Sequence, residues 1–415
     1  MVAYRVQAHD TLEAIVRRSL VSRSDIVTLE RINHISNPRH LRIGAILLAP
    51  RSRLRTEVAT LRVDSFSGAV TVGPVAAPSP VKVGELVREG DVVITGPNSF
   101  VTLAFGDGTV ATLPSLTRAR IEAAHRLLLN DSVERVISIE RGRGTYEVVP
   151  LQAPRDRFEV RTPMAVAAVR GTEFRVDYDP QAGRSIMEVL DGKVAERGGN
   201  DIDFANVVSG AAAERRAGQP GRSLVSLPPA PDLQRPGRVQ DGVNVEFAIA
   251  SPKTGEQYRL QLADDAGFTE LFAETIATEG AAAFQNVPNG VFFVRATTLT
   301  GDGVEGLPRT YGFERRFTSP GGGVETPTGH AGPRRYAFRW EPEDKGRVTY
   351  AFILAKDPGL QQRVVDDAGL TRTELSIADL PPGTYFWRVI MVQALQDRVI
   401  RRELKVNELR IGSEP

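Results

Sequence analysis

The sequence predicts a mainly β, multidomain protein: a small N-terminal βααβ module, an all-β domain behind it, and two C-terminal β-sandwiches. Three observations carry this. Helical periodicity is confined to the stretch before Asn37. Short alternating apolar runs punctuated by glycine fill residues 58–227, the texture of strands and hairpins. Finally, "YRLQLADDAGF" at Tyr258 returns as "YAFILAKDPGL" at Tyr350, an internal repeat that sets the number of the last modules.

Bulk composition agrees. At 415 residues the chain exceeds one ordinary domain, since domains run to roughly 100–150 residues. Lys plus Arg number 52 against 51 Asp plus Glu, so no global basic field draws nucleic acid or an anionic membrane. Partners must be recognised by local sites. Cysteine is absent, which removes disulfides, thiolate nucleophiles and Cys-ligated zinc. No apolar run reaches the roughly 18 residues of a membrane span. "MVAYRVQAHD" also lacks a charged region followed by an apolar one, and we expect that a signal peptide has been removed from an exported, periplasmic chain.

The elements follow in order. Tyr4 and Val6 alternate as a strand, and Asp10-Thr11 stands where a helix cap belongs. Leu12, Ile15 and Val16 make one helical face. A second helix, capped by Ser24 or Asp25, carries Ile26, Val27, Leu29 and Ile32 as its apolar residues. "NHISNP" is a loop and "AILLAP" a closing strand. In the middle domain Asp107-Gly108 and Asp191-Gly192 read as two-residue hairpin turns, because a primed turn needs positive φ at both central positions. Tyr146, Phe158 and Phe174 fall at alternating core positions. Pro-rich "SLPPAPDLQRPG" is a linker, and Trp340 and Trp387 are expected core anchors of the last module.

These patterns resemble known families. "YRVQAHDTLEAIV" and "LERINHISNPRHLRIGAILLAP" are similar to a LysM module (1–52), with Tyr4, Val6, Asp10, Thr11, Leu12, Asn33, Ile35, Pro38, Leu41, Gly44, Leu47 and Pro50 on its motif. His9 departs from it, standing where the family usually has glycine. "LVREGDVVIT", "GDGTVATLPSLTRARI" and "FEVRTPMAVAAVRGTEFRVDY" followed by "MEVLDGKV" resemble a FecR domain, placed at 58–227. After a linker at 228–237, segments 238–318 and 334–413, separated by a Gly/Pro-rich linker at 319–333, look like fibronectin type III or immunoglobulin-like sandwiches.

The LysM resemblance implies binding of N-acetylglucosamine polymer without cleavage. His9, Asp10, Thr11 and Leu12 would form one wall, and Ile35, Ser36, Asn37 and Pro38 the other. Leu12 and Ile35 would touch sugar faces. In the FecR-like signature, Arg170, Gly171, Thr172 and Glu173 are expected to form a structural brace, with "MAVAAV" fully buried before it and Arg170 hydrogen-bonded to Glu173 across the turn.

Catalytic patterns are weak. The five histidines, His9, His34, His40, His125 and His330, make no HExxH or His-x-His pair. His34 and His40 allow at most a two-ligand site. No G-x-S-x-G elbow, P-loop or closed calcium loop occurs. The expectation is a non-enzymatic envelope scaffold without cofactor, whose partners are peptidoglycan and an envelope protein. The alternative is an envelope signal sensor acting through the FecR-like domain.

Overall fold

A computed structural model describes residues 1–151, 153–198, 201, 204–242, 244–316, 323–325, 335–341, 347–378, 380–394 and 399–412. Most of the 319–333 linker, with His330, lies outside the described residues. The contacts group the chain into two compact units: 1–233 with 249–280 and 293–310, and 234–248 with 281–292 and 311–415. No helix among the described residues is long and apolar enough to cross a membrane.

The first unit opens with the strand Val2–Arg5, antiparallel to Ile46–Ala49, and between them lie the helices Leu12–Ser19 and Asp25–Asn33. Thr11 caps the first helix, its Oγ1 accepting from the Ala14 amide at 3.2 Å. Ser24 makes no such bond at the second helix. Asp25 instead accepts from the Ser22 amide at 3.1 Å and pairs with Arg53 at 3.3 Å. Of the apolar residues of that helix, Leu29 is fully buried while Val27 is 64% exposed. The helix presents only a narrow stripe because the module has little core to cover. Leu127 and Leu129 of the following domain complete that core beside Leu12, Leu20 and Leu54.

The middle domain is two twisted sheets sharing one strand. The first runs Val70–Pro74, Asp91–Thr95, Arg118–Leu127, then the front half of Val133–Val148, Arg157–Arg161, Ala165–Val169, Lys193–Gly198 and Ala205–Val208. The second runs Leu61–Ser67, Phe100–Phe105, Val110–Leu113, the back half of Val133–Val148, Thr172–Asp179, Arg184–Asp191, Ala211–Arg216 and Ser223–Ser226. Period-2 alternation turns one set of side chains inward from each sheet. Tyr146 stacks on Phe174 at 5.0 Å, and Phe158 meets Phe105 edge-on at 5.7 Å. Each such ring buried stabilises by about 1.5–3 kcal/mol.

Both aspartate-glycine turns differ from expectation. At 107–108 only Gly108 takes positive φ. The Gly108 amide donates to the Phe105 carbonyl and the Phe105 amide to that of Thr109, so a longer type I turn with a glycine bulge closes the hairpin. Asp191-Gly192 closes no hairpin. Arg184–Asp191 registers with Thr172–Asp179 and Ala211–Arg216, whereas Lys193–Gly198 registers with Ala165–Val169 and Ala205–Val208. The turn therefore carries the chain from one sheet to the other. "MAVAAV" is only partly buried: Ala167 and Val169 face the core, and Met164, Val166 and Ala168 are half-exposed. A strand with one face inward needs only alternate residues apolar.

The first unit also holds the strands Gln257–Ala263 and Leu271–Ala277 with residues 293–299, Gln257–Ala263 being central. In the second unit Val245–Ala248 pairs with Ala281–Phe284, and Phe247 packs edge-on against Phe284 and Phe313. There too, Arg347–Ala355 lies between Arg363–Leu370 and Gly383–Ala394, with Gly323–Glu325, Arg335–Arg339 and Glu374–Ala378 forming a second sheet. Trp340 and Trp387 lie in its core with Phe338 and Phe352, as the sequence predicts.

The repeat extends to conformation. Phe268 and Leu360, ten residues after their tyrosines, both take left-handed φ (58° and 57°) and are both buried. Asp265 accepts from the Thr269 and Glu270 amides, and Asp357 from those of Gln361 and Gln362, so each loop closes on its own carboxylate.

Candidate functional site

The N-terminal groove is built by the return of the chain from the second helix. His34 ends that helix in a left-handed conformation (φ 52°). The Asn33 side chain then bonds across to the last strand, donating to the Leu48 carbonyl at 2.8 Å and accepting from its amide at 2.7 Å. The Leu12 amide donates to the Pro38 carbonyl at 3.1 Å, and the Gly44 amide to that of Val6 at 2.8 Å. These bonds hold the 35–45 loop off the strand and leave a cleft of about 320 Å³. Ile35 and Leu41 supply apolar lining, and Ser36, Asn37, His40 and Arg42 polar groups. The Asn37 amide and His40 Nδ1 are 3.4 Å apart, with both side chains exposed.

Of the eight residues the sequence assigns to this groove, Ile35, Ser36 and Asn37 line the cleft. The others are placed otherwise. Leu12 is fully buried in the module core and cannot touch a sugar face. Asp10 is used internally, accepting from the Tyr4 hydroxyl (2.6 Å) and the Gln7 amide (2.8 Å) and pairing with Arg18 (3.1 Å). Burial pushes its carboxyl up, but these partners outweigh burial and hold it below the usual range. Thr11 is the helix cap and Pro38 offers its carbonyl to Leu12. His9 is exposed at φ 68°, a left-handed conformation that costs a non-glycine residue about 1 kcal/mol. His40, Leu41 and Arg42 also line the cleft, although the sequence reading gave them no place in it.

In the brace, Arg170 does not bond Glu173. It donates to the Pro154 and Ala153 carbonyls at 2.9 and 3.0 Å. Gly171, at φ 114°, passes so close to Pro150 that a Cβ there would lie 3.0 Å from its Cα. Thr172 is buried and donates to the Lys193 carbonyl at 3.1 Å. The motif thus fastens three chain segments. Glu173 points to the outer side of its sheet, where burial raises its pKa against the pull of Arg295 and Arg175.

That outer side carries a group of buried charges the sequence reading missed. Arg143 pairs with Asp177 (3.2 Å) and Glu305, and Arg175 with Glu188 (2.9 Å). Arg259 meets Glu274 (2.8 Å) and Glu305 (3.1 Å). Arg295 bonds the Gln261 amide oxygen and lies over the Phe268 ring, 4.2 Å from its centre. Burial brings its pKa down to about 10. The sheet around Gln257–Ala263 thereby covers the middle domain through ion pairs. The available signal was the matching polar residues at alternate positions on both strands. No group of three or more potential metal ligands gathers among the described residues.

With this geometry in place, the family model described as FecR protein matches residues 91–195, from the strand Asp91–Thr95 into the strand Lys193–Gly198. The match covers well under half of the chain. Among solved structures, a protein from Parabacteroides distasonis described provisionally as an anti-sigma factor aligns at 18% identity and TM-score 0.28, over 32% of this chain and 59% of its own. The chain therefore spans little more than half the length of that structure. A two-domain fibronectin type III segment of chicken tenascin aligns at 14% identity and TM-score 0.29, over 45% of this chain and all of that one. Likenesses of this size are local. No curated protein matches the chain.

Proposed function

We propose that the protein is a non-enzymatic scaffold of the bacterial cell envelope, holding N-acetylglucosamine glycan in the N-terminal cleft and presenting its β domains to a protein partner. The observation that carries this reading is the cleft, whose lining joins the exposed amide and imidazole groups of Asn37 and His40 with the apolar Ile35 and Leu41. That combination suits an N-acetyl group, whose amide needs polar partners and whose methyl needs an apolar contact. One shallow groove binds weakly, so retention on polymer would rest on many contacts at once. Titration with chitin oligomers tests it. Binding in the millimolar range, lost in Asn37→Ala with Ile35→Ser, is the expected result; no binding by the parent at such concentrations overturns it.

A second reading is favoured by the FecR match at residues 91–195. In it, the middle domain receives a signal from an envelope receptor and the cleft serves only to position it. Pull-down from envelope extract with the whole chain and with the cleft variant separates the two. Scaffolding predicts that the partner sediments with insoluble peptidoglycan only beside the parent chain; a partner captured by both proteins but never carried onto the polymer favours reception.

A further inference from the structure

A second cleft, of about 540 Å³, lies within the first unit between the middle domain and the loops around Gly255 and Gly301. We propose that it binds a compact oxyanion ligand, a phosphate or a dicarboxylate, through Arg141 and Arg184. The inference is independent of the N-terminal groove.

The charge on the floor is already matched. Arg143 and Arg259 are paired with Asp177, Glu274 and Glu305. The rim differs. Arg141 is exposed and has no carboxylate partner among the described residues. Arg184 donates from Nη1 to the Asp302 carbonyl and likewise has no carboxylate partner among the described residues. No protein carboxylate matches the charge of these two guanidinium groups, so an anionic ligand would be favoured beside them. Of the carboxylates in the lining, Asp177 pairs with Arg143, and Asp179 is turned into its own loop, accepting from the Gln181 and Ala182 amides at 2.8 and 3.1 Å.

The backbone shapes the same opening. Gly303 takes φ 80°, and a Cβ there would lie 2.5 Å from Arg184 Nη2, so only glycine lets the guanidinium occupy its position. Elsewhere in the lining Leu116 is held at φ 59° and is half-exposed, backbone strain of the kind that gathers at binding sites. Tyr178 is the single aromatic ring of the lining among the described residues, too little stacking surface for a sugar chain. Guanidinium groups take carboxylate and phosphate alike, by two parallel hydrogen bonds.

Calorimetric titration of the intact protein with inorganic pyrophosphate, and separately with succinate, tests the assignment. Binding of either supports it, and which of the two binds more tightly names the source. Arg141→Gln and Arg184→Gln should each weaken binding about tenfold, and added salt should weaken it further. Arg141 is exposed, so its variant should melt with the parent. Two results overturn the assignment: no heat from either anion at ~10 mM, or a folded double variant that binds as the parent does.

Discussion

The two copies of the repeat bury the same face in opposite ways. In the first copy, Arg259, Gln261 and Thr297 project from the outer side of the sheet into ion pairs and hydrogen bonds. In the second, the corresponding positions are Ala351, Ile353 and Ile390, packed with Ala355, Leu360 and Val406 in an apolar cluster. The loops diverge likewise. The Thr269 carbonyl accepts from the Thr102 hydroxyl of the middle domain at 2.6 Å, and Phe268 packs beside Phe100. Leu360, its counterpart, packs on its own sheet. One backbone plan can thus be finished by a polar, directional interface or by a non-directional apolar cover. The first fixes a partner's register; the second only excludes water.

The sharpest way to break that contrast is Glu305→Ala. It strips the shared carboxylate from Arg143 and Arg259, leaving each with one partner, Asp177 and Glu274. The buried group is then one negative charge short, which should cost about 3–5 kcal/mol. Denaturant titration of the first unit measures it; a loss under about 1 kcal/mol would mean the network is solvated rather than buried. Ile353→Ala on the matching face should cost about 2–4 kcal/mol through transfer and cavity terms, with no dependence on salt. A salt-dependent loss there would erase the distinction.

A smaller effect separates the loops. Asp265→Ala should lower the melting temperature more than Asp357→Ala, because only the first loop also docks on the middle domain. Equal losses would show that docking adds nothing. Backbone hydrogen bonds from Gln362 and Gln361 hold the Asp357 carboxyl below its usual range. Its contribution is therefore full above the unfolded value near 4 and is lost as pH falls through the folded one, so Asp357→Asn should differ from the parent least in acid.

The last test has the opposite sign. Glu173 has its pKa raised by burial, so its ionised form weighs against folding above that pKa. Glu173→Gln should be more stable than the parent at pH 7, and the gain should shrink as pH falls toward about 4.5. A variant less stable at pH 7 would show that the pull of Arg295 and Arg175 exceeds the cost of burial.

Much of the architecture was legible. Periodicity marked both helices, alternation marked the strands, and the repeat located Trp387 and the two tyrosines. What escaped was pairing. Asp191-Gly192 looks like any hairpin turn because strands of both sheets alternate identically, and nothing local says which partner each will find. The buried charges escaped for a related reason: Arg143, Arg175 and Glu188 alternate with core residues and so read as a solvated face. Only the complementary row on Gln257–Ala263, distant in sequence, covers them. In the groove, Ile35, Ser36 and Asn37 were found through the loop they share. Leu12 was misplaced because a motif position says that a residue is needed, not whether the fold or the ligand needs it.

The long strand Val133–Val148 has a mechanical consequence. It gives its front half to one sheet and its back half to the other. A pull along the chain cannot peel away one sheet and leave the other standing, since the ladders on both halves load together in shear. The middle domain should yield to force as one body.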